Sequence, residues 1–174
     1  HERDDAVYVT ARLVDTPDGS VLVPPSTGHS LARLGRRATK LGISVSEPSA
    51  TAIDIDTGLV ISIPPSLEVP DDALQRLAAN FPSEGGETVG DMDVPGDVRA
   101  FLVPSRETEA PLQPARKGYA LANLAGWTLN LEQVGGRGLE ALGRFVERSS
   151  CYESAWTSGT ELITRISALS KARP

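Results

Sequence analysis

The residues best suited to proton transfer lie in one short stretch, where His29 stands between Ser26 and Ser30 after two prolines. An imidazole beside a hydroxyl is the minimum for a serine-type hydrolase, because histidine titrates near neutral pH. Such a site also needs an orienting carboxylate and an oxyanion hole, and the pattern G-x-S-x-G is absent. The hydroxyls are explained more simply as helix caps. A small hydrolase using these residues is therefore kept as an alternative hypothesis.

Two pairs of aspartates form the second candidate for chemistry. Asp54 and Asp56 lie two residues apart, and a strand would point both carboxylates to one face. Asp91 and Asp93 repeat the spacing in a glycine-rich stretch. Their oxygens suit Mg²⁺ or Ca²⁺, but the first pair lacks the downstream glutamate of an EF-hand loop. We predict solvent-facing acids with no metal or cofactor, and keep a metal-dependent enzyme as part of the same alternative.

Positive charge gathers on one predicted helix, from about residue 29 to 41. Apolar residues recur there at helical spacing, at Leu31, Leu34, Ala38 and Leu41. The basic residues fall on the other faces, at Arg33, Arg36, Arg37 and Lys40. They lie late enough in the helix to interact favourably with the negative end of its dipole, and Gly42 suits the position after its end. We predict that these four residues contact another protein with an acidic surface.

The stretch LGRRATKLGISVSE, residues 34 to 47, resembles the turn of a DNA-reading helix-turn-helix, with Gly42 at the turn. The resemblance implies a second helix that enters the major groove. That helix would be VSEPSATAID, which contains no lysine or arginine and places Glu47 and Asp54 toward the phosphates. Its end, residues 51 to 55, is better explained as a strand. A helix-turn-helix domain is the second alternative, and nucleic acid is not the expected partner.

Several elements must position these residues in the first half of the chain. Alternating apolar residues from 6 to 14 predict one strand, and Pro17 with Gly19 predicts a turn that returns residues 21 to 23 antiparallel to it. A second hairpin is predicted over residues 51 to 63, around Gly58.

The second half of the chain adds further elements. The patterns predict a helix over 70–81, an acidic loop over 82–97, a strand over 98–103, a strand after Gly126, and helices over 137–149 and after Ser158. Ser158 and Glu161 have the spacing of a capping box. The expected fold is α+β, with antiparallel hairpins forming a sheet, helices packed on one face and a C-terminal helical pair.

A weak internal echo accompanies this pattern. VLVPPS, ISIPPS and FLVPS begin near residues 21, 61 and 101, a spacing of about 40 residues that is typical of short repeats. Degenerate ββα repeats would explain it, and so would three unrelated strands that end at proline.

Bulk composition limits the classes of function. The 174 residues, 40% of them hydrophobic, suit a single domain over 1–174, with a subdomain boundary in the 82–97 loop. A net charge of −6 argues against general attraction to nucleic acid, and no apolar run is long enough for a membrane span. The lone Cys151 suits a reducing, cytoplasmic compartment, and the Ala, Gly, Pro and Arg bias is typical of a GC-rich, bacterial-like genome.

Because every catalytic constellation lacks a required partner, the sequence predicts a non-catalytic interaction or regulatory module within a larger protein or complex. Its oligomeric state is left open.

Overall fold

The computed structural model of the chain describes residues 5–27, 35–40, 42–45, 51–61 and 98–171. In these ranges the strands are β1 (Ala6–Val9), β2 (Arg12–Thr16), β3 (Gly19–Val23), β4 (Ser44–Val45), β5 (Thr51–Asp54), β6 (Val60–Ile61), β7 (Val98–Pro104), β8 (Gln113–Pro114) and β9 (Ser150–Ser154). The helices are α1 (Gly35–Lys40), α2 (Lys117–Gly126), α3 (Leu131–Arg148) and α4 (Gly159–Lys171), with a 3₁₀ turn at Pro25–Thr27. None of these helices is long and apolar enough to cross a bilayer. The predicted α+β class is confirmed.

Both predicted hairpins are confirmed within the described residues. β2 pairs antiparallel with β3, and β5 pairs antiparallel with β6. Gly19 and Gly58 adopt φ values of 132° and 67°, in the region that only glycine enters without strain. The turn residues therefore act as the sequence indicates.

The predicted strand over 6–14 is broken into two strands that belong to different sheets. β1 pairs with β5 in a three-stranded sheet, whereas β2 lies in a six-stranded sheet. The chain changes direction at Thr10, whose N–H donates to the Trp127 carbonyl at 2.9 Å instead of to a strand. The alternating pattern continues through the break because the apolar residues on both sides of it, Val7, Val9, Ala11 and Leu13, all join the first core. Periodicity alone therefore does not reveal the change of sheet.

The larger sheet has the strand order β4-β2-β3-β7-β9-β8, in which β3, β7 and β9 run parallel. Its central strand β7 is buried on both faces. Phe101 and Val103 join one core, and Ala100 and Leu102 join the other. A strand buried on both sides needs apolar residues at every position, which accounts for the run AFLV.

Helices cover both faces of this sheet, rather than the one face expected. α2, α3 and the small sheet enclose the first core, whereas α1 and α4 supply Ala38, Leu162 and Ile166 to the second. The two C-terminal helices are present as predicted. β9 lies between them in the chain, and they pack on opposite faces of the sheet, α3 in the first core and α4 in the second.

The predicted strand after Gly126 is wrong, since α2 ends there and α3 begins at Leu131. Between the helices, Leu129 N–H donates to the Tyr8 carbonyl at 2.8 Å. The Asn130 side chain accepts from Tyr8 N–H at 2.9 Å and donates to the Ala6 carbonyl at 3.0 Å. Residues 127–130 therefore lie along the edge of β1 that does not pair with β5, and the side-chain amide of Asn130 makes the hydrogen bonds that a neighbouring strand's backbone would make.

The last helix begins where the sequence predicts, whereas the helix before it begins earlier than predicted and contains a kink. Glu161 N–H donates to Ser158 Oγ at 3.2 Å, which confirms the cap of α4. The helix expected over 137–149 begins earlier, at Leu131, and is interrupted at Gly135, whose φ is 57° and ψ is −138°. A glycine at that position permits the kink.

Other predictions fall partly or wholly outside the described residues. They include the helix over 70–81 and the loop over 82–97, with its domain boundary. For the 40-residue echo, β3 and β7 are neighbours in the larger sheet, whereas β6 lies in the smaller one. The repeat stays a prediction.

Candidate functional site

The predicted contact surface is partly described. Arg36, Arg37 and Lys40 lie on α1, while Arg33 lies outside the described residues. Ala38 is buried at 3% exposure against the large sheet, and Lys40 is exposed. Helix α1 is thus attached to the core through Ala38 and presents Lys40 to solvent.

Helix α1 ends in a Schellman motif, as the position of Gly42 predicts. Gly42 has a φ of 69°, and its N–H donates to the Thr39 carbonyl at 3.0 Å. Ile43 N–H donates to the Ala38 carbonyl at 3.0 Å, and both of these side chains are buried in the second core. The paired bonds and the apolar contact fix the direction in which the chain leaves α1.

The residues after Gly42 do not match the second helix of a helix-turn-helix motif where they are described. Val45 pairs with Val14 as part of β4, and Thr51–Asp54 forms β5. The strand expected over residues 51 to 55 is confirmed as far as Asp54, after which the chain turns.

The histidine site lies mostly outside the described residues, which include neither His29 nor Ser30. Ser26 lies in the 3₁₀ turn that follows β3. Next to it, Thr27 is fully buried, and its hydroxyl donates to the Pro24 carbonyl at 2.5 Å. A hydroxyl of this stretch therefore stabilises the turn, and the serine–histidine pairing stays untested.

The aspartate pair does not share a strand face, contrary to the sequence prediction. β5 ends at Asp54, so the alternation of side chains does not reach Asp56. Asp54 Oδ1 accepts from Thr57 N–H at 2.7 Å and from Thr57 Oγ1 at 2.6 Å, whereas Asp56 lies 3.3 Å from Arg137 Nη2. Within the described ranges no three potential metal ligands come together. Asp91 and Asp93 fall outside those ranges.

The Asp54 turn gives a pH-dependent prediction. The hydrogen bonds from the Thr57 hydroxyl and N–H lower the pKa of Asp54 below its ordinary value of 3.8. A carboxyl whose folded pKa is depressed stabilises the protein above its unfolded pKa, and this contribution is lost as the pH falls through the folded pKa. Replacing Asp54 with alanine should lower the free energy of unfolding by about 1 kcal/mol at pH 7, and the difference should shrink below about pH 4.

Asp54→Asn is the matched control, because its amide oxygen still accepts from Thr57 but cannot ionise. Urea unfolding of the three proteins from pH 7 to pH 3 makes the comparison. A constant difference between wild type and Asp54→Ala across that range would contradict the role assigned to the carboxylate.

Arginines of α3 donate hydrogen bonds to backbone carbonyls of the turn between β5 and β6, an arrangement that the sequence analysis did not predict. Arg144 Nη2 donates to the Ile55 carbonyl, and Arg148 Nη1 donates to the Thr57 carbonyl at 2.6 Å. Gly58 packs directly against the helix, beside Arg144. The available signal was three arginines at helical spacing, at 137, 144 and 148, but their partners lie more than 80 residues away in sequence.

The carboxyl ends of parallel strands are the usual ligand site of open α/β sheets. Here the segment after β7 folds over the ends of β7 and β9. Ser105 N–H donates to the Ser154 carbonyl at 2.9 Å, and the Ala110 carbonyl accepts from Ala155 N–H at 3.0 Å and from Ser154 Oγ at 3.3 Å. Ala110 is buried at 2% exposure. These polar groups are bonded within the chain.

Cys151 is buried in the first core, as expected for a small apolar side chain. Burial raises the pKa of its thiol, so the nucleophilic thiolate is disfavoured at neutral pH.

Comparison with protein-family models, with curated proteins and with solved structures finds no match to this chain.

Proposed function

We propose that this protein is a non-catalytic interaction or regulatory module, one part of a larger protein or complex. Its contact surface comprises Arg36, Arg37 and Lys40 of helix α1, together with Arg33, which lies two residues before the helix in the sequence. The partner is a protein with an acidic surface.

The attachment of α1 is the observation that carries this proposal. Buried Ala38 and Ile43 hold the helix on the large sheet, and Lys40 is exposed beside them. A charged side chain on a well-anchored helix meets a partner without the cost of ordering a loop. Because the chain as a whole carries a net charge of −6, a basic helix is a local exception suited to steering an acidic partner.

The hydrogen bonds of polar side chains elsewhere in the described residues also support the proposal. Asp54 closes a turn, Asn130 completes the edge of β1, and Ser154 is bonded to the segment that covers its strand. Each of these groups satisfies backbone or turn hydrogen bonds, which is a structural role rather than a catalytic one.

Affinity capture with matched charge reversals tests the surface. Arg37→Glu combined with Lys40→Glu should strongly reduce the recovery of acidic partners, since like charges then face each other. Arg106→Glu combined with Arg116→Glu changes the net charge equally at two exposed positions away from α1 and should leave recovery unchanged. Equal recovery with both double variants would contradict the proposed surface.

The rival hypothesis of a metal-dependent enzyme has a separate test. A metal that binds only the folded protein raises the melting temperature with its concentration. We expect Mg²⁺, Ca²⁺ and Mn²⁺ each to leave the melting temperature unchanged relative to a chelator control. A rise that Asp54→Asn and Asp56→Asn abolish would favour the metal site instead.

A further inference from the structure

The end of α3 is held by a lysine from the start of α2. Lys117 Nζ donates to the carbonyls of Val146 at 2.5 Å, Glu147 at 3.3 Å and Ser149 at 2.6 Å. Carbonyls in the last turn of a helix have no partner within the helix and lie at the negative end of its dipole. One ammonium group, with three donors and a full positive charge, therefore satisfies three acceptors at once.

Cys151 lies on the same junction. Its thiol is directed at the carbonyls of Val146 and Ser149, at 3.7 Å and 3.6 Å, which are two of the acceptors that Lys117 uses. Cys151 is buried at 6% exposure and lies three residues after the end of α3, whereas the residue Lys117 is exposed. Access to the thiol and the bonds of the lysine thus depend on the same few backbone groups.

We propose that Lys117 is a charge-dependent latch, and that acylation of its side chain opens the junction between α3 and β9 and makes Cys151 accessible. An acyl-lysine keeps one N–H donor and loses the positive charge. It satisfies at most one of the three carbonyls, and the remaining two are left to recruit water.

The modification requires an acyl donor such as an acyl thioester or an anhydride. Nζ first loses one proton to water and then attacks the carbonyl carbon of the donor. The new carbon–nitrogen bond forms as the carbon–sulfur or carbon–oxygen bond breaks. The thiolate or carboxylate leaves with the bonding electron pair, and the amide nitrogen releases its extra proton to water.

Native-state thiol labelling measures the latch, since Cys151 is the only cysteine. Lys117→Gln should increase the labelling rate about tenfold or more, because bonds to a charged donor hold the junction closed. Lys40→Gln, which neutralises an exposed lysine on α1, should leave the rate unchanged. Unchanged labelling in Lys117→Gln overturns the proposal.

A variant on the opposite face of the sheet shows whether increased Cys151 labelling comes from global destabilisation instead of from local opening of the junction. Ser158→Ala removes the cap of α4 and lowers stability without touching the junction. If Ser158→Ala and Lys117→Gln increase labelling equally for an equal loss in melting temperature, the thiol is reached by unfolding and the latch is wrong.

Acetylation of the already folded protein provides a second test of the proposal, which does not require that Lys117→Gln folds. In Lys40→Arg/Lys171→Arg, Lys117 is the only lysine, and in Lys117→Arg the other two lysines remain. Acetic anhydride, followed by hydroxylamine to cleave any thioester formed on Cys151, should increase Cys151 labelling in the first protein and not in the second, with the N-terminal amine modified equally in both. An equal effect in the two proteins, or no effect in either, overturns the proposal.

Discussion

Replacing Phe101 with alanine is expected to lower the free energy of unfolding by about 3 to 5 kcal/mol, the cost typical of emptying a fully buried aromatic site. Phe101 is 0% exposed on the central strand β7. Its ring lies 5.8 Å from that of Trp127 at an interplanar angle of 89°, and 5.9 Å from that of Phe145. These edge-to-face contacts join the sheet to α3 and to Trp127 at the end of α2, so their loss leaves a cavity between the sheet and the two helices.

Urea unfolding followed by far-UV circular dichroism measures this loss. Leu59→Ala is the control, because Leu59 is 47% exposed and its truncation should change stability by about 0.5 kcal/mol or less. Similar losses in the two variants would contradict the position of Phe101 at the centre of the first core.

Gly58→Ala is expected to cost about 2 to 4 kcal/mol, from backbone strain and overpacking together. Gly58 has a φ of 67°, which side-chain-bearing residues rarely adopt. A Cβ atom there would lie 2.7 Å from the Cβ of Arg144 and 3.0 Å from the Ala141 carbonyl oxygen. Neither of these is the far end of a flexible side chain, so the hairpin would have to separate from α3.

The matched control for this substitution is Gly143→Ala on α3, where an added Cβ meets nothing within 4 Å. Alanine in a helix interior should stabilise the protein by about 0.5 to 1 kcal/mol. Thermal melting of both variants makes the comparison. If Gly58→Ala melts at or above the wild-type temperature, the close contact between the β5–β6 turn and α3 is wrong.

Features that depend on a few neighbouring residues were predictable from the sequence. The turns at Gly19 and Gly58, the end of α1 at Gly42 and the Ser158 cap each follow from local backbone conformation or a side-chain hydrogen bond. The α+β class followed because it depends only on the types of these elements.

Features that depend on distant contacts were not predictable. The break at Thr10 is stabilised by Trp127, and the connection between α2 and α3, which ends at Asn130, is stabilised by β1, more than 115 residues away. Apolar side chains on both sides of β7 fit either a buried strand or a helix. Only the assembled sheet shows that α1 and α4 cover the face opposite α2 and α3.

For the candidate site, too, local features were predictable from the sequence and features that depend on the fold were not. Helical periodicity correctly separates exposed Lys40 from buried Ala38, while the contact surface itself stays a prediction. The expectation that Asp54 and Asp56 share one strand face assumed that β5 extends to Asp56, whereas β5 ends at Asp54. The role of Lys117 was missed, since nothing near it in sequence marks the helix end that it caps.

Zero-length carbodiimide cross-linking of the intact protein with its captured partners tests the interaction account most directly. It joins a lysine amine to a carboxylate in contact with it, and the chain has only Lys40, Lys117 and Lys171. We predict that the cross-links to partner aspartates and glutamates run through Lys40 and disappear at high salt, as expected for exposed charges. Partner cross-links confined to Lys117 and Lys171, with Lys40 unmodified, would contradict a basic contact surface on α1.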